Sequence, residues 1–246
     1  MADNRPLALV TGASRGIGLA VARKLAENGY DLVMTCSASY DELKNKASEI
    51  ENNYGVSCFC KVVDAGKPEE VRALFEEEIF SSHGLEVLVN NAGISFVGLF
   101  HEMSDDELCR VMSVNATGVM YTSKYAIPFM LKKHAGSIIN ISSVWGNIGA
   151  SMEVAYSASK GAVNSFTKAL AKELAPSGIK VNAIACGLID TQMNACFSKE
   201  DLEEVIGEIP ADRIGKPEEI AEVVLSVARS TNYLTGQIIT VDGGWT

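Results

Sequence analysis

Short apolar runs alternate with helical patterns along the whole chain, and this alternation constrains the fold more than any other feature. Most of the runs are almost continuously apolar, which is typical of parallel strands that are covered by helices on both faces. The predicted strands are Leu7–Thr11, Asp31–Thr35, Ser57–Val63, Leu85–Asn90, Ser137–Ser142, Ile179–Ile184 and Gln237–Val241.

The segments between these runs have the spacing of amphipathic helices. Gly29 is expected to end the first helix, and the spacing of Ser104 and Glu107 predicts a capping box. The predicted helices are Ile17–Asn28, Asp41–Asn53, Pro68–Ser82, Ser104–Lys133, Ala155–Ala175 and Pro217–Ala228. The fold class that follows is α/β: a Rossmann-type doubly wound parallel sheet of about seven strands with helices on both faces.

No repeat or flexible linker interrupts the 246 residues, so residues 1–246 are predicted to form a single dinucleotide-binding and catalytic domain. One irregular region, at about residues 186–214, follows the sixth strand. A long excursion at that point is more often a lid or a binding segment than filler, so we expect a substrate lid there.

Charge and composition exclude several classes of function. The chain has 21 Lys and Arg against 31 Asp and Glu, a net charge of −10, which disfavours nucleic acid as a partner. It contains no apolar run long enough to span a membrane and no signal-peptide pattern, so a cytoplasmic protein is expected. The six cysteines lack the spacing of a zinc site, so reduced thiols and no metal are predicted.

A glycine-rich turn follows the first predicted strand, in the segment Thr11–Gly18. Glycines let a backbone approach a pyrophosphate, and the N-terminus of the next helix offers free N–H groups. The turn therefore predicts dinucleotide binding, although an ordinary strand-to-helix turn would have a similar composition. The candidate cofactor-binding residues here are Gly12, Ser14, Arg15, Gly16, Ile17 and Gly18.

The end of the second strand favours NADP(H) over NAD(H). Enzymes that use NAD commonly place an acid there for the ribose 2′-hydroxyl, but the first acid in this sequence is Asp41, beyond the strand. Arg15 and Ser37 could instead bind a 2′-phosphate. NAD(H) stays possible, because Arg15 could equally be a solvated loop residue.

Two Tyr-x-x-x-Lys patterns occur, Tyr40–Lys44 and Tyr156–Lys160, and their context separates them. Tyr156 and Lys160 share one face of a predicted helix, and Ser143 lies at the carboxyl end of strand five. Tyr40 has no such hydroxyl, so Tyr40 and Lys44 are interpreted as a surface pair.

The group of Tyr156, Lys160 and Ser143 suits the interconversion of a ketone and an alcohol. A phenol ionises near pH 10, and a neighbouring ammonium favours its ionised form. Tyr156 is predicted to exchange the proton, and Ser143 to hydrogen-bond the carbonyl oxygen.

In these motifs the whole chain resembles the short-chain dehydrogenase/reductase family. The resemblance implies four catalytic residues, which are Ser143, Tyr156, Lys160 and Asn115. It also implies further cofactor contacts, which are Asp64, Asn91, Ala92, Gly93, Tyr156, Lys160, Gly187, Ile189 and Thr191. One departure is Cys186, where the family usually has a proline. A homotetramer is implied as well.

Within the family the chain is most similar to bacterial 3-oxoacyl-(acyl-carrier-protein) reductases, in the segments Arg213–Ile220 and Thr235–Gly244. The implied activity is NADPH-dependent reduction of a free or carrier-bound 3-oxoacyl group. The positions where those enzymes often use arginines to dock the acidic carrier look like His134 and Ser177, which weakens the case for a carrier.

The residues around the catalytic tyrosine resemble instead a Firmicutes subgroup that includes reductases of an aminopentanone-modified lysine on elongation factor P. Glu153 could pair with the amine of such a substrate, or could simply be solvated at the start of a helix. Hydroxysteroids, sugar alcohols and a non-catalytic NADP(H)-binding module remain alternatives. The candidate substrate residues are Ser95, Trp145, Glu153 and Met193.

Overall fold

The computed structural model describes residues 5–194 and 199–246, and within these ranges the strands form one parallel sheet. The strands are β1 (Leu7–Val10), β2 (Asp31–Cys36), β3 (Cys58–Val62), β4 (Val87–Asn90), β5 (Gly136–Ser143), β6 (Ile179–Cys186) and β7 (Ile238–Val241). Their order across the sheet is β3-β2-β1-β4-β5-β6-β7. The predicted α/β fold class is confirmed.

Helices cover both faces of the sheet, as the apolar strands require. They are α1 (Gly16–Glu27), α2 (Tyr40–Tyr54), α3 (Pro68–Phe75), α4 (Glu78–His83), α5 (Asp105–Met112), α6 (Gly118–Lys133), α7 (Trp145–Ile148), α8 (Val154–Leu174), α9 (Lys199–Glu208) and α10 (Pro217–Ala228). Pro68 and Pro217 stand in the first turns of their helices, and the predicted capping box of Ser104 and Glu107 is present.

The strands send alternate side chains into two separate cores. In β1, Ala8 and Val10 belong to the core beneath α1, α2 and α10. Leu7 and Leu9 belong to the opposite core, beneath α3, α4, α6 and α8. All four side chains are completely buried. The sheet is thus held rigidly between two apolar layers, and the loops at its edges are left for binding.

Two helices that were predicted to be continuous are interrupted in the structure. The predicted helix Pro68–Ser82 is two helices, because Glu77 has an extended backbone with ψ 140° and separates α3 from α4. The predicted helix Ser104–Lys133 contains a π-helical turn at Ser113–Thr117 between α5 and α6. The prediction that the whole region of residues 186–214 is irregular was also wrong, because the helix α9 occupies Lys199–Glu208.

None of the described helices is long and apolar enough to cross a membrane. Among the residues that the structure describes, no group of three His, Cys, Asp or Glu side chains could hold a metal ion. The described cysteines are free thiols, and Cys196 lies outside the described residues.

Candidate active site

A cavity of about 550 Å³ opens at the carboxyl edge of the sheet. Residues that follow each of the first six strands contribute to it, for example Gly12 after β1, Ser37 after β2 and Asp64 after β3. The strand order reverses between β1 and β4, and ligands of doubly wound sheets bind in the crevice at such a point. The position of the cavity therefore follows from the topology.

The glycine turn after β1 is held in place by two side chains. The Nδ2 atom of Asn91 donates to the carbonyl oxygens of Thr11 (2.9 Å) and Gly12 (3.0 Å). The hydroxyl oxygen of Thr11 in turn accepts from the backbone N–H groups of Asn91 and Ala92, both at 3.0 Å. The turn is therefore rigid before any ligand arrives.

Close packing beneath this turn requires Gly18. A Cβ atom on Gly18 would lie 2.2 Å from the carbonyl oxygen of Gly12 and 2.5 Å from Nδ2 of Asn91. Gly12 and Gly16 have φ angles of 65° and 55°, which glycine adopts readily. Helix α1 can therefore start directly against the turn and point its free N–H groups into the cavity, as a pyrophosphate requires.

The end of β2 carries no acid in the cavity wall. The wall there consists of Cys36, Ser37, Ala38 and Ser39, and Arg15 faces the same space from the N-cap of α1. Hydroxyl groups and a guanidinium suit a phosphate better than a ribose diol. This part of the cavity is compatible with NADP(H).

Beyond β3, Asp64 forms an ion pair with Arg110 of α5. The Nη1 atom of Arg110 lies 2.9 Å and 2.8 Å from the two carboxylate oxygens. Burial disfavours ionisation of Asp64, but the hydrogen bonds from Arg110 and from the Gly66 N–H outweigh it and hold the pKa of this carboxyl below its usual range. Arg110 was not predicted from the sequence, since nothing in the local pattern links it to Asp64.

Tyr156, Lys160 and Ser143 come together at the centre of the cavity. The Nζ atom of Lys160 lies 5.6 Å from the ring centroid of Tyr156 and donates to the carbonyl oxygen of Ile141 at 2.8 Å. Ser143 shares a hydrogen bond with the Tyr156 hydroxyl. It also accepts the N–H of Trp145 at 3.2 Å, which orients its hydroxyl group. The predicted trio is therefore assembled.

Burial shifts the acidities of these groups in opposite directions. It raises the pKa of Tyr156 well above its ordinary value, and the nearby Glu153 carboxylate raises it further, while the hydrogen bond with Ser143 opposes both. Burial lowers the pKa of Lys160 to about 8. It also raises the pKa of Cys186, which pairs with Ser143 across the sheet, to about 12. A reactive thiolate at Cys186 is therefore disfavoured.

Asn115 lies in the π-helical turn and is completely buried. Its Oδ1 atom accepts the N–H of Ile94 at 2.9 Å, and its Nδ2 atom donates to the carbonyl oxygen of Ile94 at 2.8 Å. A Cβ atom on Gly93 would lie 3.4 Å from Oδ1 of Asn115 and 3.6 Å from Nζ of Lys160. Asn115 thus anchors the loop after β4 beside Lys160, beneath the cavity rather than in its wall.

Glu153 enters the cavity immediately before α8. One carboxylate oxygen accepts the hydroxyl of Ser95 at 2.8 Å, and the other accepts the indole N–H of Trp145 at 3.1 Å. The preceding residue, Met152, has a φ of 63°, which is uncommon outside glycine. Glu153 is the N-cap residue of α8, but its side chain makes no capping hydrogen bond and is bound inside the cavity instead.

Most of the predicted site residues line this one cavity; Gly18 and Asn115 lie beneath it. Those in the wall are Gly12, Ser14, Arg15, Gly16, Ile17, Ser37, Asp64, Asn91, Ala92, Gly93, Ser95, Ser143, Trp145, Glu153, Tyr156, Lys160, Gly187, Ile189, Thr191 and Met193. Glu208 and Trp245 also line the cavity and were not predicted from the sequence. The amphipathic pattern of α9 could have indicated Glu208, but no local pattern indicates the position of Trp245.

Comparison with known proteins places this geometry in a family. The family described as short chain dehydrogenase matches residues 6–202. The chain belongs to this family. Short-chain dehydrogenases are oxidoreductases that bind a nicotinamide cofactor, and the rigid glycine turn and open helix N-terminus fit such a group.

Relatives of this short-chain dehydrogenase include named reductases. It is 41% identical to a 3-oxoacyl-(acyl-carrier-protein) reductase of Aquifex aeolicus, over 97% of this chain and 96% of the relative. It is 35% identical to the uncharacterized oxidoreductase YmfI of Bacillus subtilis, over 97% and 98%. A solved structure described as a short-chain alcohol dehydrogenase of Sinorhizobium meliloti 1021 superposes with a TM-score of 0.91 at 33% identity, covering 98% of this chain and 96% of that one.

Proposed function

We propose that this chain is an NADPH-dependent reductase that converts a ketone into a secondary alcohol, with 3-oxoacyl thioesters as the leading substrate class. The observation that carries the proposal is the buried trio of Tyr156, Lys160 and Ser143 in one cavity with the glycine turn. The likeness to 3-oxoacyl-(acyl-carrier-protein) reductases supports the substrate class.

The cofactor end of the cavity would hold NADPH, which supplies the hydride when it is bound. The glycine turn and the N-terminus of α1 offer N–H groups to the pyrophosphate. Arg15 and Ser37 offer donors to the 2′-phosphate, and the pair of Asp64 and Arg110 borders the adenine end. Lys160, Ile189 and Thr191 lie where the nicotinamide half would be placed.

The proton comes from Tyr156. Ser143 donates a hydrogen bond to the carbonyl oxygen, so that the oxygen is held near the phenol as charge develops on it. Tyr156 then releases its proton to that oxygen, and the ammonium of Lys160 stabilises the phenolate that remains. Burial raises the pKa of this phenol above its ordinary value, so bringing it to 7 takes more than the about 4 kcal/mol that separates 10 from 7. The charge of Lys160 acts on it in a dry site, where such an interaction is strong. Asn115 keeps the loop after β4 in place beside Lys160.

The Arg15→Ala variant is expected to weaken the binding of NADPH at least about tenfold and to leave that of NADH nearly unchanged, because it removes a charge-assisted hydrogen bond to the 2′-phosphate. Dissociation constants for both cofactors measure this. The matched control is Arg23→Ala, since Arg23 is also on α1 but pairs with Glu49 outside the cavity. Equal weakening of both cofactors would refute the role of Arg15.

The pH dependence of ketone reduction should have an alkaline limit set by Lys160. Below its lowered pKa of about 8 the ammonium is charged and stabilises the phenolate; above it the charge is lost, so kcat/KM for the ketone should fall. The Lys160→Arg variant keeps its charge and should move this limit upward, even if its rate is lower. If the alkaline limit of kcat/KM is the same in this variant as in the wild type, the titrating group is not Lys160.

An aminoketone is a second candidate substrate, which the position of Glu153 favours. Among the described residues that line the cavity, the basic ones are Arg15, Arg110 and Lys160. Arg110 pairs with Asp64, and Nζ of Lys160 donates to the carbonyl oxygen of Ile141. Glu153 is held by two neutral donors, so its negative charge is available to an ammonium group.

One screen separates these possibilities. NADPH oxidation is followed with a short 3-oxoacyl thioester and with a pair of ketones of equal length that end in an amine or in a methyl group. Turnover of the thioester supports the leading function, and a preference for the amine over the methyl ketone supports the second. Cofactor binding without turnover of any ketone would refute both and favour a binding module.

A further inference from the structure

The part of the cavity formed by Trp145 contains a second tryptophan, from the carboxyl-terminal segment. The rings of Trp145 and Trp245 have centroids 4.9 Å apart at an interplanar angle of 64°, an edge-to-face contact. Trp145 begins α7 two residues after Ser143, whereas Trp245 follows β7. The two rings therefore join distant parts of the chain next to the carbonyl-binding hydroxyl.

Each indole N–H donates to a carboxylate in the same cavity wall. Trp145 bonds to Glu153, as described above, and Nε1 of Trp245 donates to a carboxylate oxygen of Glu208 at 3.2 Å. Glu208 is the last residue of α9. The Trp245 ring is thereby linked to the helix of the lid region as well as to Trp145.

The backbone before and after Trp245 is also anchored. The carboxylate of Asp242 accepts from the N–H groups of Gly244 (2.9 Å) and Thr246 (2.8 Å), and the carbonyl oxygen of Gly243 accepts the N–H of Ala211 at 3.1 Å. Gly243 has a φ of 72°, and a Cβ atom there would lie 2.9 Å from Ile209. The backbone that carries the indole is thus held in place by several contacts.

We propose that Trp245 is a specificity-determining residue. Its ring closes the part of the cavity next to Trp145 and holds the substituent of the ketone while the carbonyl group lies at Tyr156. This inference rests on the proposed reductase function. It adds that the carboxyl-terminal segment and α9, joined through Trp245 and Glu208, set the size of substituent that the enzyme accepts.

The test compares the Trp245→Ala and Trp245→Phe variants with the wild type on a series of ketones of increasing substituent size. The alanine variant should raise KM for the preferred ketone about tenfold or more and improve relative kcat/KM for bulkier ketones, because the space of the ring is opened. Its kcat should change little and its dissociation constant for NADPH not at all. The phenylalanine variant keeps a ring and should recover most of the wild-type size preference.

The matched control is Tyr233→Ala, which removes an aromatic ring that is 96% exposed and outside the cavity, and it should leave the series unchanged. An active wild type whose size preference and KM are the same in Trp245→Ala would overturn this inference alone. A phenylalanine variant as altered as the alanine variant would also contradict it. A folded wild type that binds NADPH but reduces no ketone would overturn the proposed function and this inference together.

Discussion

The Tyr156→Phe variant is expected to lose about 10²–10⁴-fold in kcat for ketone reduction, the range that a positioned general acid contributes. The change removes only the phenol hydroxyl. The ring still fills its buried position, and Lys160 keeps its bond to the carbonyl oxygen of Ile141. Binding of NADPH should therefore change by less than about threefold, and turnover and binding must be measured on the same preparation.

The chain carries its own control for this experiment. Tyr40 and Lys44 have the same spacing, and Nζ of Lys44 lies at the same 5.6 Å from the ring centroid, but Tyr40 is exposed on α2. The Tyr40→Phe variant should have wild-type activity. Substantial turnover by Tyr156→Phe would remove the phenol from the mechanism and require another proton donor.

The Gly18→Ala variant is expected to disrupt both the cofactor turn and the stability of the fold. The new Cβ atom would overlap the carbonyl oxygen of Gly12, which is backbone and cannot rotate away. Overpacking of this kind costs about 1–3 kcal/mol or more of unfolding free energy. Relieving it must displace either α1 or the glycine turn, so we also expect NADPH affinity to fall by about 100-fold.

Thermal unfolding and NADPH titration measure these two effects. Gly161→Ala is the matched control, because Gly161 is also a helical glycine but its added Cβ would be 3.6 Å from the nearest atom outside its helix. That variant should be as stable as the wild type or more so, since alanine favours helices. A Gly18→Ala variant with unchanged melting temperature and unchanged NADPH affinity would contradict the close packing described here.

The fold was readable from the sequence because its strands are buried on both sides. Every residue of β1 is completely buried, and its run of four apolar residues is typical of such an environment. The helix breaks were not readable in the same way. Glu77 interrupts a segment whose residues favour helix, and the π-helical turn at Asn115 is stabilised by bonds to Ile94, a contact between distant segments.

The candidate site was predictable where its residues lie at or just after strand ends, as Gly12, Ser143 and Asn91 do. Tyr156 could be chosen over Tyr40 because it has a hydroxyl, Ser143, at the carboxyl end of a preceding strand, and parallel strands bring such ends to one edge. Trp245 and Glu208 could not be placed, because their positions depend on contacts between the segment after β7 and the end of α9. A pattern within a short window contains no information on such a contact.

The contact between Trp145 and Trp245 gives the protein a built-in optical reporter. These are the two tryptophans of the whole chain, so its intrinsic indole fluorescence arises from the walls of a single cavity. Emission should respond to a compound that enters beside the rings without any attached dye. Compounds that the protein cannot turn over could be screened in the same way.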